Sequence, residues 1–241
     1  MKTVLIAILA TLSYVALLPR AEGQNSGPPA APASTARASA PMDLTGYWVA
    51  FVTEDWRFRM VTPRKGDYQA VPMTEQARKV ADAWDPAADE ASGNQCKAYG
   101  AAAIMRVPAR FHITWQDDNT LRIDTDAGMQ TRLFHFNAPP SPGERSWQGY
   151  STAQWERPKS LKVATTNLRS GYLRKNGVPY SENAAVTEYF DIAPLPNGGQ
   201  LLLVTSIVDD PQYLRQPFTV SSQFKKEADG SKWDPTPCTA R

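Results

Sequence analysis

Alternation of apolar and polar residues over most of the chain predicts an all-β protein: a single antiparallel meander barrel with one short helix. Three observations carry this. Phe111, Ile113 and Trp115 share one face of a segment that turns at Asp117-Asp118-Asn119 and returns as Leu121 and Ile123. A second turn, Asp126-Ala127-Gly128, leads into residues 129–136, so hairpin follows hairpin, joined by polar turns. Segments of this kind recur about ten times, and closure into a barrel removes the exposed edges that an open sheet of that size must protect.

The chain begins Met1-Lys2-Thr3, followed by an apolar run over residues 4–18. A positive start and an apolar stretch too short to span a bilayer read as a signal peptide over residues 1–23. Ala21 and Gly23 place small residues at the −3 and −1 positions of a cut before Gln24. Residues 24–41 (QNSGPPAAPASTARASAP) are nearly all Pro, Ala, Ser, Gly and Thr, the composition of a disordered tether. The barrel domain is then expected over residues 42–241, in the periplasm or secreted.

Within that domain, residues 47–52 supply the first strand. Ala77, Val80, Ala81 and Trp84 recur at helical spacing, with Thr74 as N-cap and Pro86 beyond the end, and predict a helix near residues 74–84. Residues 150–155 and 161–166 form a further hairpin. Residues 185–192 and 201–208 form another around Pro196-Asn197-Gly198-Gly199, and residues 218–224 are the last strand.

The formal net charge of +2 at pH 7 falls by one on loss of Lys2, Arg20 and Glu22, and argues against a nucleic-acid partner. Beyond the signal peptide no run suits stable membrane insertion. The 7 Trp, 9 Tyr and 8 Phe imply either a large core or an aromatic-lined pocket. Cys96 and Cys238 are the only cysteines; in an oxidising compartment such a pair is expected to bridge, the alternative being two separate buried thiols. With two histidines and no C-x-x-C, no metal is expected, and no cofactor either. GxSxG, GxGxxG, P-loop and HExxH signatures are all missing, so catalytic residues are not assigned.

Candidate ligand-binding residues come from the alternation. Arg132, Phe134 and Phe136 share the inner face of one strand, and Glu188, sharing a face with Val186 and Phe190, is the natural partner for the arginine. The pair reads either as a ligand-orienting device or as a structural ion pair. Residues 167–180, too long for a tight turn, bring Arg169, Tyr172, Arg174 and Tyr180 either to an anion-recognising mouth or to a solvated basic loop. His112 and His135, the secondary candidates, fall on the outward face by alternation.

Residues 173–181 (LRKNGVPYS), 186–190 (VTEYF) and 210–218 (DPQYLRQPF) resemble a family of exported bacterial proteins whose function is not assigned. Residues 43–48, residues 147–151 and both cysteines share the resemblance, which covers most of residues 43–238. Ala153-Gln154-Trp155-Glu156 departs from the family's Gly-Arg/Lys-Trp-Glu. The resemblance implies export and a lipocalin-like β fold, and it supplies no catalytic residues.

The expected function is binding of a small, largely apolar ligand with an anionic group. The alternatives are an acid–base enzyme (lyase, isomerase or hydrolase) in the same cavity, and an accessory factor that binds a protein. N-terminal sequencing of exported material should return a chain starting at Gln24; an intact Met1 on exported protein would contradict the signal-peptide reading.

Overall fold

The computed structural model describes residues 34–137, 143–156, 158–196 and 198–241. The expected signal peptide, residues 24–33 of the expected tether and Asn197 of the expected turn lie outside them. In chain order the strands are β1 (Gly46–Ala50), β2 (Arg110–Asp117), β3 (Thr120–Thr125), β4 (Thr131–Phe136), β5 (Tyr150–Glu156) and β6 (Ser160–Thr166), then β7 (Gly171–Arg174), β8 (Val178–Tyr180), β9 (Ala185–Pro194), β10 (Gln200–Asp209) and β11 (Phe218–Lys226).

Nine of them close into the expected barrel, in the order β1-β11-β10-β9-β6-β5-β4-β3-β2, with β1 also pairing to β2. It departs from a pure antiparallel meander in two places. Strands β4 and β5 run parallel, Phe134 opposite Ser151, and β6 pairs with β9 because β7 and β8 form a separate hairpin. The parallel pair has a geometric cause: a ring with an odd number of strands cannot alternate direction all the way round. Alternation within a strand is the same in either direction, so the sequence pattern carries no sign of it.

The expected helix is α2 (Glu75–Asp82), following α1 (Trp56–Arg59) and preceding α3 (Pro86–Ala91). Thr74 Oγ1 accepts from Ala77 N at 3.1 Å, the anticipated N-cap. Ala77, Ala81 and Trp84 are buried, whereas Val80, expected on the same face, is exposed. Pro86 opens α3, capped by Asp85, whose carboxylate accepts from the amides of Ala87 and Ala88. Two 3-10 turns, Gln95–Tyr99 and Ile104–Arg106, complete the helical segments among the described residues.

The barrel interior is filled. Trp48, Phe111, Ile113, Leu121, Ile123, Phe134, Leu161, Val163, Phe190, Leu202, Val204 and Phe224 are all buried in one cluster. Ala36, within the expected tether, contributes to it, and residues 34–41 group with the barrel by their contacts. Ala36 is buried in the cluster, its amide donates to Asn119 Oδ1 (3.0 Å), and its carbonyl accepts from Trp155 Nε1 (2.9 Å). Small residues that cannot form a core alone can plug one.

A second apolar cluster caps the other end, built from Ala77 and Ala81 of α2, Leu173, Val178 and Tyr180 of the β7–β8 hairpin, and Val186, Val208 and Phe218. The turn that begins at Asp210 closes this cap: its buried carboxylate accepts from Ser181 N (2.6 Å) and Oγ (2.8 Å) and from Gln212 N (3.0 Å).

Between the two clusters lies a polar layer. Along β9 the inward residues run Val186, Glu188, Phe190, and along β10 Val208, Ser206, Val204. Glu188 accepts from Arg132 Nη1 (3.1 Å) and Nη2 (2.5 Å), and both side chains are fully buried. Thr165 and Ser206 add weaker bonds at 3.4 Å, and Arg132 also lies over the Phe134 ring at 4.9 Å. A one-residue slip of β9 would turn Glu188 outward and strand the arginine, so the pair opposes misregistration. Removing one buried partner leaves the other uncompensated. Arg132→Met should therefore cost about 3–5 kcal/mol of stability, most of it recovered in the double variant Arg132→Met, Glu188→Leu. Chemical denaturation checks this; equal losses in both variants would contradict it.

Candidate functional site

Four stretches distant in sequence meet at the capped end: residues 58–62, the two 3-10 turns with Val107 and Pro108, the β7 end, and the C-terminal tail. Between them lies a cavity of about 450 Å³ lined by Phe58, Arg59, Met60, Val61, Tyr99, Arg106, Leu173, Arg174 and Lys175, with Thr236 and Pro237 from the tail. That volume falls in the usual range for small-molecule sites, about 300–1,000 Å³.

Three arginines in this wall are buried: Arg59 is 7% exposed, Arg106 6% and Arg174 3%. Each is fixed by local structure. Asp55, at the N-terminus of α1, has a left-handed backbone (φ 51°) and does not cap the helix with its side chain. Its carboxylate accepts instead from Arg106 Nη1 at 3.1 Å. Glu54 beside it accepts from Arg59 Nη1 at 2.6 Å, and Arg59 Nε donates to the Arg106 carbonyl at 2.8 Å. Arg106 is drawn in because Ile104 and Met105, just before it, are buried in the barrel cluster.

Arg174 ends β7, ahead of a turn in which Gly177 takes φ +83°; a Cβ there would meet the Trp84 side chain at 2.3 Å. Its Nη1 donates to the Gln69 carbonyl (2.7 Å), and its guanidinium lies over the Phe58 ring at 4.1 Å. No carboxylate lies within ion-pairing distance of Arg174 among the described residues.

These bonds leave donors over. Nη2 of Arg59, Nη2 of Arg106, and both Nε and Nη2 of Arg174 are buried without a hydrogen-bond partner. Burial, and then the like charge of Arg106, lowers Arg174 to about 10 against the pull of Asp55 and Asp67. Arg59 is lowered by burial and by Arg106 despite Glu54, and Arg106 by burial despite Asp55. Arg106 thus feels the charge of both Arg59 and Arg174, and buried donors of this kind need a partner from outside the chain, water or an acceptor group.

Tyr99 and Lys175 form a second polar element of the wall. Lys175 Nζ donates to the Tyr99 hydroxyl at 2.7 Å, to Thr239 Oγ1 at 3.3 Å and to the Arg241 carbonyl oxygen at 3.1 Å. Burial pushes the phenol up, but the bonds from Lys175 and Thr239 and the lysine's charge outweigh it and hold it below the ordinary value.

Of the residues singled out from the sequence, Arg174 alone lines this cavity. Arg132, Glu188, Phe134 and Phe136 lie in the filled barrel, where Phe134 packs on Phe190 and Phe136 on Trp155. Residues 167–180 are not a solvated loop: they contain the β7–β8 hairpin, and Arg174 and Tyr180 are buried. Tyr172 donates to Asp89 (2.8 Å) on the hairpin's other side, and burial and that carboxylate raise its phenol. Arg169 is exposed and stacks over Trp147 at 4.4 Å, so the expected four-residue mouth does not assemble. Tyr180 is sealed, its hydroxyl unpartnered, and burial raises it.

The histidines sit on the barrel's outer face. His112 stacks on Tyr47 at 4.1 Å, and His135 on Tyr150 at 5.0 Å beside a separate pocket of about 260 Å³ whose lining holds no carboxylate. Arg59, Arg106, Tyr99 and Lys175 were not anticipated. The available signal was an arginine ending an apolar run, as in residues 101–106 (AAAIMR), where no partner of opposite charge is near in sequence.

Cys96 and Cys238 are joined by a disulfide. Cys96 lies in the same 3-10 turn as Tyr99, and Cys238 lies between Pro237 and Thr239, so the bridge ties two walls of the cavity together. No family model, no curated protein and no solved structure matches the chain.

The tail has further anchors, Thr236 N to Asp126 O (2.9 Å) and Gly128 N to Thr236 O (2.8 Å). Cys238→Ser should speed amide exchange at Gly128 and Thr236 far more than at Ile123 or Val204 in the barrel, as read by hydrogen-exchange mass spectrometry. Uniform protection in the variant would show that the bridge does not hold this wall.

Proposed function

We propose that the protein is an exported binding protein for a small, largely apolar molecule carrying an anionic group, held in the cavity at the capped end. The observation that carries this reading is the set of buried, unpartnered guanidinium nitrogens on three arginines of one cavity wall. An anion there would receive charge-assisted hydrogen bonds and remove the cost of keeping Arg174 charged and unpaired. The apolar part of the ligand meets Phe58, Leu173 and Val107, then Met60 and Val61 at the rim, which are exposed without it (56% and 63%).

Export rests on the N-terminal pattern and agrees with the disulfide; no helix among the described residues is long and apolar enough to cross a membrane. The resemblance to exported bacterial proteins fits the same reading. The enzyme alternative has one observation in its favour, the Tyr99–Lys175 pair, whose acidified phenol faces the same cavity as the arginines. The binding reading needs only the arginines and takes precedence.

The test uses 1-anilinonaphthalene-8-sulfonate, an apolar fluorescent anion, as probe. The protein should bind it saturably, and Arg174→Met should weaken binding about tenfold or more, as expected for loss of a charge-assisted bond of about 1.5–3 kcal/mol. The same variant should melt no lower than the parent, because it removes a buried charge that has no counter-ion. The double variant Arg132→Met, Glu188→Leu should bind the probe normally. Loss of binding in that double variant, with Arg174→Met unaffected, would move the site into the barrel and overturn the proposal.

A further inference from the structure

The donors left over on the three arginines that line the cavity differ in kind, and the difference bears on the ligand's head group. Arg59 has spent Nε on the Arg106 carbonyl and Nη1 on Glu54, so Nη2 alone remains. Arg106 has spent Nη1 on Asp55, and its Nη2 is unpartnered. Arg174 has spent Nη1 on Gln69, and its unpartnered nitrogens, Nε and Nη2, are the adjacent pair that forms one side of the guanidinium fork.

A fork of that kind takes two oxygens at once. A carboxylate has two, so the Arg174 fork would engage both and leave Arg59 and Arg106 to share oxygens already bonded. A tetrahedral oxyanion on a single ester link presents three terminal oxygens: two match the fork, and the third is available to the further donors of the same cavity lining, Arg59 and Arg106. Charge points the same way. Glu54 and Asp55 pair with Arg59 and Arg106, while Arg174 has no carboxylate, so the wall carries surplus positive charge before any ligand arrives.

Resting on the binding reading above, we infer that the head group is a tetrahedral oxyanion, the phosphate or sulfate of a monoester on an apolar tail, rather than a carboxylate. Phosphate and sulfate share the three-oxygen geometry and differ in charge, which lets one experiment separate shape from charge.

Octyl phosphate, octyl sulfate, octanoate and inorganic phosphate would be titrated calorimetrically at pH 7.5, each below its micellar concentration, into the disulfide-bonded protein. Octyl phosphate and octyl sulfate should both bind at least about tenfold more tightly than octanoate, the worth of one further charge-assisted bond. Inorganic phosphate should bind weakly, because it lacks the tail. Arg174→Lys, which keeps the charge and loses the fork, should cut the preference for octyl phosphate over octanoate to less than about threefold. Arg59→Lys checks the third oxygen: it should weaken both esters by a larger factor than octanoate, and an equal loss for all three would count against the third contact.

Equal or tighter binding of octanoate would overturn the inference while leaving an anion site in place. Octyl phosphate binding without octyl sulfate would show that charge, not geometry, selects, and would overturn it too. Failure of all four probes to bind would instead reject the binding reading on which it rests.

Discussion

In a closed sheet each strand's direction is set against two neighbours, and an odd number of strands leaves one pair that must run parallel. Here that pair is β4 and β5. A parallel neighbour cannot be joined by a tight turn. Among the described residues, those just before β5 contact the capped end. Trp147 O accepts from Ala101 N (2.9 Å), and Gln148 Nε2 donates to Tyr99 O (2.8 Å), which fixes the backbone that carries Tyr99 in the cavity wall. Gly100 lies between these anchors, and a Cβ there would meet the Tyr180 hydroxyl at 2.2 Å. The crossover imposed by barrel closure therefore helps to build the site.

The molecule treats its buried arginines in two ways. Arg132 is paired with both oxygens of Glu188 and lies across Phe134, with the barrel packed above and below it. Arg132 keeps one unpartnered nitrogen, Nε, whereas Arg59, Arg106 and Arg174 together keep four around one cavity, with no partner among the described residues. Structural burial of a charge is normally completed by the protein itself.

Most of the strands were legible because period-two alternation survives wherever one face is packed and the other wet. The same logic placed Arg132 and Glu188 on inner faces and found each the other's partner. It gives no signal where both faces are buried: Val178, Pro179 and Tyr180 all lack exposure, so β8 shows no alternation and its hairpin reads as a loop. Residues 98–106 are buried throughout and follow neither period, which hid the segment that carries Tyr99 and Arg106. The plug made by Ala36 was invisible for another reason. Its segment has the composition of a linker, and only the Asn119 and Trp155 contacts, distant in sequence, give it a place.

The cavity itself has no local sequence motif because no short stretch contains it. Its walls come from α1, two 3-10 turns, the end of β7 and a tail tied across by the bridge from Cys96 to Cys238. Each arginine is held by a carbonyl or carboxylate from a different stretch: Arg59 by Glu54 and Arg106 O, Arg106 by Asp55, Arg174 by Gln69 O. Those anchoring bonds consume one or two nitrogens of each guanidinium and orient the rest. Such an arrangement costs stability in the empty protein, since unsatisfied buried donors are desolvated for no return. Apolar residues at the same positions would fold at least as well. That three such positions around one cavity are arginine is the feature on which the proposed anion site rests.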